Sequence, residues 1–327
     1  MIVDPATVLQ SEADGLTTLH LSVAGGLSQF GAYIETLAPG ASSSNRHWHS
    51  AEDEFVYVLD GVVTLHDDDG LQDLSSGDAV AWRHGDPNAH RLINRGDAPC
   101  QYLIAGSRVA GDICHYPDSG RRQVNADTTW HIEDADGTIL RHGDLPTELL
   151  GLPPVWGNPY DPSLRKSRIL RAGDVRAEVA GNTYPAPWNE LGISQDMALS
   201  DAGGLSQFGA YVEVLHPRAL TSLRHWHEAE DEFLYVLEGT PTLIENDGPQ
   251  QIAEGTCVCW PKGVPNGHCL RNDTATPVVL FIIGTRLPED ECHYPDIDLH
   301  YSRRNGQRSF NHKDGTPYPG WPKETNR

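Results

Sequence analysis

A chain of 327 residues is long enough for two domains with separate cores. Its formal net charge of −22, from 46 acidic against 24 basic residues, argues against a general nucleic-acid or anionic-membrane surface, which needs clustered Lys and Arg. Thirty-two glycines and 23 prolines punctuate short Val/Leu/Tyr runs, and no apolar run is long enough to span a membrane, so an all-β protein is expected.

From the start, "MIVDPATVLQSEADG" has neither the basic beginning nor the apolar stretch of a secretion signal. Six cysteines in so long a chain are too sparse for a disulfide scaffold. A reduced, cytoplasmic setting is therefore expected. "GGLSQFGAYIETLAPGASSSNRHWH" then begins at Gly25, and "GGLSQFGAYVEVLHPRALTSLRHWH" begins at Gly203. The same offset of 178 holds without a gap through Gly61/Gly239, Gly77/Gly255, His90/His268, Asn94/Asn272 and the two "CHYPD" segments at Cys114 and Cys292. It returns in "DGT" at Asp136 and Asp314. Such a match implies an internal duplication, with one domain at 1–150 and its copy at 151–327, each including its own C-terminal tail. The joint is expected in "LPPVWGNPYDPS", where Pro, Gly and Asn crowd together. Within each copy, short partly apolar runs separated by turns such as "DDDG" and "SSGD" predict strands of a sandwich or small barrel. One short helical stretch, "DLPTELLGL", is expected near Leu149.

In "RHWHSAEDEFVYVLDG", His47 and His49 are two apart, so on a strand both face one side while Trp48 faces the other. Glu54 follows after a tight bend, and His90 comes later at the end of a turn-rich stretch. Three imidazoles and one carboxylate suit a divalent transition metal, with positions left open for substrate or oxygen. His225, His227, Glu232 and His268 repeat the set at identical spacings. A lone His-x-His is more often a surface pair; duplication of all four residues shifts the balance toward two built metal sites.

These residues resemble the cupin superfamily. Its first motif, G-x5-H-x-H-x(3–4)-E-x6-G, is similar to "GASSSNRHWHSAEDEFVYVLDG" with one extra residue after Gly40. Its second, G-x5-P-x-G-x2-H-x3-N, is similar to "GTCVCWPKGVPNGHCLRN" with two extra residues before His268. The resemblance implies two tandem cupin jelly-roll barrels, a bicupin. It also implies a metal such as Fe, Mn, Ni or Zn held by His47, His49, Glu54 and His90, and a second held by His225, His227, Glu232 and His268. The departures are Arg83 where the family usually has Pro, and Arg218 where it usually has Gly. Asp53 competes with Glu54 as ligand, and Glu54 is preferred because six residues separate it from Gly61, as the motif asks. Glu52 and Asp53 are then read as solvent-facing or as groups that orient a histidine.

Arg46 and Arg224 are expected to point away from the metals, in surface ion pairs. Cys257 and Cys259, matched by Ala79 and Ala81, read as small buried hydrophobes. Candidate substrate contacts are Tyr57 and Tyr235, residues more often found as barrel packing, and Trp82 and Trp260, which either wall the pocket or fill core. His115, Tyr116, His293 and Tyr294 of "CHYPD" either anchor the tails or reach a barrel mouth. The reading that follows is a metal-dependent enzyme acting on a small polar metabolite. Bicupins of similar layout include dioxygenases, oxalate decarboxylases and an ureidoglycine aminohydrolase, and the oxidative subset is preferred by analogy. The alternatives are a decarboxylase, lyase or aminohydrolase, or a non-catalytic ligand-binding or sensor protein. Exposed sheet edges and apolar outer faces lead us to expect a homodimer or larger assembly.

Overall fold

"EFVYVL" and "EFLYVL" are apolar on both strand faces, which a strand tolerates only when both of its faces are covered. The computed structural model describes residues 1–164, 166, 168–179 and 183–324, and it covers them. Strand accounts for 46% of the chain and helix for 5%, which makes the protein all-β as expected. The expected helix near Leu149 is a single 3-10 turn, Thr147–Leu149.

Each half holds one large sheet, one small sheet and a tail sheet. In the first half the large sheet runs Ile169–Leu170, Ala79–Trp82, Glu54–Asp60, Cys100–Ser107, Phe30–Leu37, Leu16–Leu19, Gln10–Ala13. Opposite it lies the sheet of Arg91–Ile93, Val62–Asp67 and Gly70–Ser75. Between the two sheets sit Val56, Val58, Leu65, Leu74 and Leu92. The second half repeats this arrangement around Leu234, Val236, Leu243, Val258 and Leu270. The two sheets form an open jelly roll rather than a closed cylinder. Near the metal-motif histidines the connection thins to isolated bridges, Ser42↔Ile93 and His47↔His90 in the first half, and Leu220↔Arg271 and His225↔His268 in the second. Each "CHYPD" strand starts a tail sheet, and Ile113–Tyr116 and Asp290–His293 pair directly with Trp48–His49 and Trp226–His227.

The outward faces of the two large sheets pack on one another. Phe30, Phe55, Leu103, Phe208, Phe233 and Phe281 belong to one buried cluster that draws on both halves. The apolar outer face that suggested self-association is thus covered inside the chain. Cys257 and Cys259 lie in this cluster, as do Ala79 and Ala81. Gly25 and Gly203 are required by the closeness of the approach: a methyl at Gly25 would overlap Cys259, and one at Gly203 would overlap Ala81.

The halves also exchange strands. Ile2–Val3 pairs with Val258 and Cys257 of the second half, while Ile169–Leu170 pairs with Val80 and Ala79 of the first. The expected joint at 153–163 is packed between them, with Trp156 Nε1 donating to Gln207 O (2.9 Å) and Tyr160 N to His84 O (3.0 Å).

Candidate metal centres

The short strand Trp48–His49 and the bridge at His47 bring both histidines toward Glu54, the first residue of its strand, and His90 crosses from the opposite sheet. The hydrogen bonds fix which imidazole nitrogen is available. His47 Nδ1 donates to Asn45 O (2.9 Å) and His90 Nδ1 to Asn88 O (3.0 Å), since a carbonyl can only accept. His49 Nδ1 donates to Asp112 Oδ2 (2.7 Å). Each Nε2 is left for the interior: that of His90 is 2.9 Å and that of His47 3.9 Å from Glu54 Oε2.

The second half repeats the Nδ1 pattern, and there all three Nε2 atoms lie near the glutamate. Nδ1 of His225, His227 and His268 donates to Leu223 O (2.8 Å), Asp290 Oδ2 (2.6 Å) and Asn266 O (3.3 Å). Their Nε2 atoms lie 3.8, 3.8 and 2.7 Å from the Glu232 carboxylate. Ring centroids are 5.2 Å apart for His47 and His49 and 5.0 Å for His225 and His227. His47, Glu54 and His90 form one cluster of donor atoms and His225, Glu232 and His268 another. The donor sets fit a divalent transition metal: three imidazoles whose Nδ1 is held from behind, so that Nε2 is the atom each would offer on giving up its proton, and one carboxylate.

Electrostatics follow from burial. Burial pushes His47 down to about 4 and His225 down to about 3, against the pull of the nearby glutamates. Burial alone would raise Glu54 and Glu232, but the histidines around each outweigh it and hold both well below the usual carboxylate range. Burial would likewise lower His227, yet Glu232 and Asp290 bring it up to about 9.

The remaining sequence candidates divide by strand face. Trp82 stacks on His90 at 3.7 Å and Trp260 on His268 at 3.9 Å, walling each centre. Tyr116 and Tyr294 approach from the tail, with rings 6.1 Å from His47 and 6.0 Å from His225. Tyr57 and Tyr235 are elsewhere. They lie on the opposite face of their strands from Glu54 and Glu232 and pack into the contact between halves, Tyr57 5.2 Å from Phe281. His115 and His293 also face away, stacked on Trp48 (3.9 Å) and Trp226 (4.3 Å). Arg46 and Arg224 make the expected ion pairs, with Asp118 and Asp296.

Asp53 departs most from expectation. It is fully buried and orients His84, which is outside the cluster, while accepting from Ser206 N and Gln207 N of the other half. Glu52 is half-buried, 3.8 Å from His49 Nδ1, and burial beside Asp112 pushes it up to about 8. Sequence reasoning missed Asp112 and Asp290. The signal was present: an acid stands two residues before each "CHYPD" cysteine, at the common offset. It also missed Cys114 and Cys292, whose buried thiols lie with the paired histidines.

The Cupin domain family model matches residues 33–106 and 211–284, the two segments that carry these centres. The chain belongs to the cupin superfamily. Among solved structures, this bicupin is similar to one described as a sugar phosphate isomerase from Silicibacter pomeroyi. The two are 36% identical over 45% of this chain and 93% of that one, with a TM-score of 0.43. An oxalate decarboxylase from Lactobacillus farciminis is 15% identical over 87% of this chain and 86% of that one, with a TM-score of 0.53. The E. coli protein Ylba is 12% identical over 87% and 90%, with a TM-score of 0.51. At such identity the last two show the fold alone. No functionally curated protein matches the chain.

Proposed function

We propose that this bicupin is a metal-dependent enzyme acting on a small polar metabolite, with one divalent transition metal (Fe, Mn, Ni or Zn) in each half. One observation carries the reading: in both halves three imidazoles have Nδ1 tied to an acceptor, and Nε2 of His47 and His90 in the first half, and of His225, His227 and His268 in the second, lies 2.7 to 3.9 Å from one glutamate carboxylate. When bound, such a metal supplies a Lewis acid with positions open to substrate oxygens and to dioxygen, so oxidative chemistry of the dioxygenase type is the preferred form. The chain's own groups orient and shield. Asp112 and Asp290 fix two ligand rings, and Trp82 and Trp260 exclude water from the faces of His90 and His268.

The test is elemental analysis of protein purified without chelator, with His49→Ala and His227→Ala in parallel. We expect a content approaching two metals per chain, with each variant losing its own site. Oxygen uptake by the loaded protein then separates oxidative chemistry from decarboxylase, lyase or aminohydrolase chemistry. A wild-type content near zero, unchanged after incubation with Fe, Mn, Ni or Zn, overturns the enzyme reading and leaves a metal-free binding protein.

A further inference from the structure

The two histidine–glutamate clusters are built from matching residues, but their surroundings do not match. In the second half a cavity of about 320 Å³ opens onto His225 and His227. On its wall Asp196 and Glu213 sit directly opposite each other on adjacent strands, and Arg308 enters from the tail sheet. The strand register gives the counterparts without ambiguity. Ser194 pairs with Leu215 as Leu16 pairs with Leu37, so Ser194 and Asp196 replace Leu16 and Thr18. Arg303 pairs with Arg308 as Asn125 pairs with Trp130, so Arg308 replaces Trp130. In the first half Glu35 is already satisfied, accepting from Tyr102 Oη at 2.6 Å and Thr18 Oγ1 at 3.4 Å. Glu213 faces Leu280 at the Tyr102 position.

Two buried polar atoms in the second cavity have no partner among the described residues: Asp196 Oδ1, an acceptor, and Arg308 Nε, a donor. A buried orphan of either kind has lost its hydrogen bonds to water without replacement, so a ligand that satisfies both gains what the empty cavity lacks. We propose that the second half, and not the first, recognises a small uncharged polyhydroxylated molecule of the sugar and polyol class through Asp196, Glu213 and Arg308. The hydroxyl is the one common ligand group that both donates and accepts. An ammonium would satisfy Asp196 but meet Arg308. A carboxylate or phosphate would satisfy Arg308 but meet the Asp196 carboxylate. Burial and the neighbouring Asp196 push Glu213 up to about 8, so near neutral pH it carries its proton and acts as a donor. The volume suits a five- or six-carbon molecule, at the small end of ligand cavities. Because the cavity opens onto His225 and His227, the inference rests on the metal-centre reading for its catalytic meaning, though not for binding.

The experiment is calorimetric titration of metal-loaded and metal-stripped protein. The probes are five- and six-carbon aldoses and alditols, with D-gluconate and D-glucosamine as charged counterparts. We expect a neutral member to bind once per chain. Binding should weaken at least tenfold in Asp196→Ala and in Ser194→Leu, which copies the first half, and should persist in Thr18→Ala. Should Asp196→Ala fail to fold, Arg308→Gln reports on the same cavity. Absence of binding by every neutral probe, tighter binding of either charged probe, or affinity unchanged by these substitutions overturns the inference. Two metals per chain with no polyol binding sinks this inference alone. Polyol binding that needs Asp196 in a chain holding no metal sustains it and sinks the metal reading alone.

Discussion

Asp53 offers the sharpest check on how the halves are joined. Its Oδ1 accepts from His84 N (2.8 Å) and His84 Nδ1 (2.7 Å), and its Oδ2 from Ser206 N (2.7 Å) and Gln207 N (2.8 Å). The residue is fully buried, so Asp53→Ala strands four donors. A hydrogen bond to a charged group is worth about 1.5–3 kcal/mol, and a water entering the vacated space can re-satisfy two or three of the donors. The net cost is therefore about 4 kcal/mol. Asp53→Asn is the more informative variant. Its amide oxygen can keep the two His84 donors, but its NH2 then faces the two backbone N–H groups of Ser206 and Gln207, giving a cost of about 3 kcal/mol. Urea unfolding at pH 7 measures both. Tryptophan fluorescence is a suitable probe, because Trp156 bonds the same Gln207 and reports on the junction. An Asp53→Asn variant within 1 kcal/mol of the wild type would refute the four-donor arrangement.

Gly25→Ala pushes a methyl into Cys259 and should cost about 2–3 kcal/mol; Cys259→Gly added to it should restore part of the loss in a double-mutant cycle. Asp112→Asn should weaken metal binding in the first half about 10–100-fold and leave the second half unchanged, as read by chelator competition. Glu213 binds its proton more tightly folded than unfolded, since burial raises it from 4.5 to about 8. Its contribution to stability is complete below about pH 4.5 and is lost as pH rises through about 8. Glu213→Gln should therefore raise the urea midpoint more at pH 8.5 than at pH 5, and an equal gain at both would refute the assignment.

The clustering of His47, Glu54 and His90, and of His225, Glu232 and His268, was legible because ligand chemistry constrains both residue type and spacing, and the duplication wrote the constraint twice. The sheets were legible through the same offset and the two-faced apolar strands. Strand parity also held information that was not used: Tyr57 is three residues from Glu54 and so must face the other way. His115 pairs with Trp48 for the same reason, while Tyr116 turns in. The exchange of Ile2–Val3 and Ile169–Leu170 left no trace, since two residues carry no period. Nor could sequence distinguish Asp53 from a surface acid, because Ser206 and Gln207 lie more than 150 residues away and His84 on a separate turn 31 residues on. Orphaned atoms such as Asp196 Oδ1 are defined by what surrounds them, and no local pattern encodes that.

Phe30 and Phe208, each the other's counterpart, meet across the contact between halves at 6.2 Å. Asp53 reaches Ser206 and Gln207 just as Asp231 reaches Ser28 and Gln29. This is the geometry of an isologous homodimer, in which one patch meets its own copy about a twofold axis. Two separate copies would hold together only as far as their concentration allowed. A covalent joint makes the encounter intramolecular and the assembly independent of dilution. It also lifts a restriction that a true homodimer can never escape, since a gene for one subunit changes both pockets at once. Joined in one polypeptide, only the meeting faces must stay matched, while Ser194, Asp196 and Arg308 are free to differ from Leu16, Thr18 and Trp130.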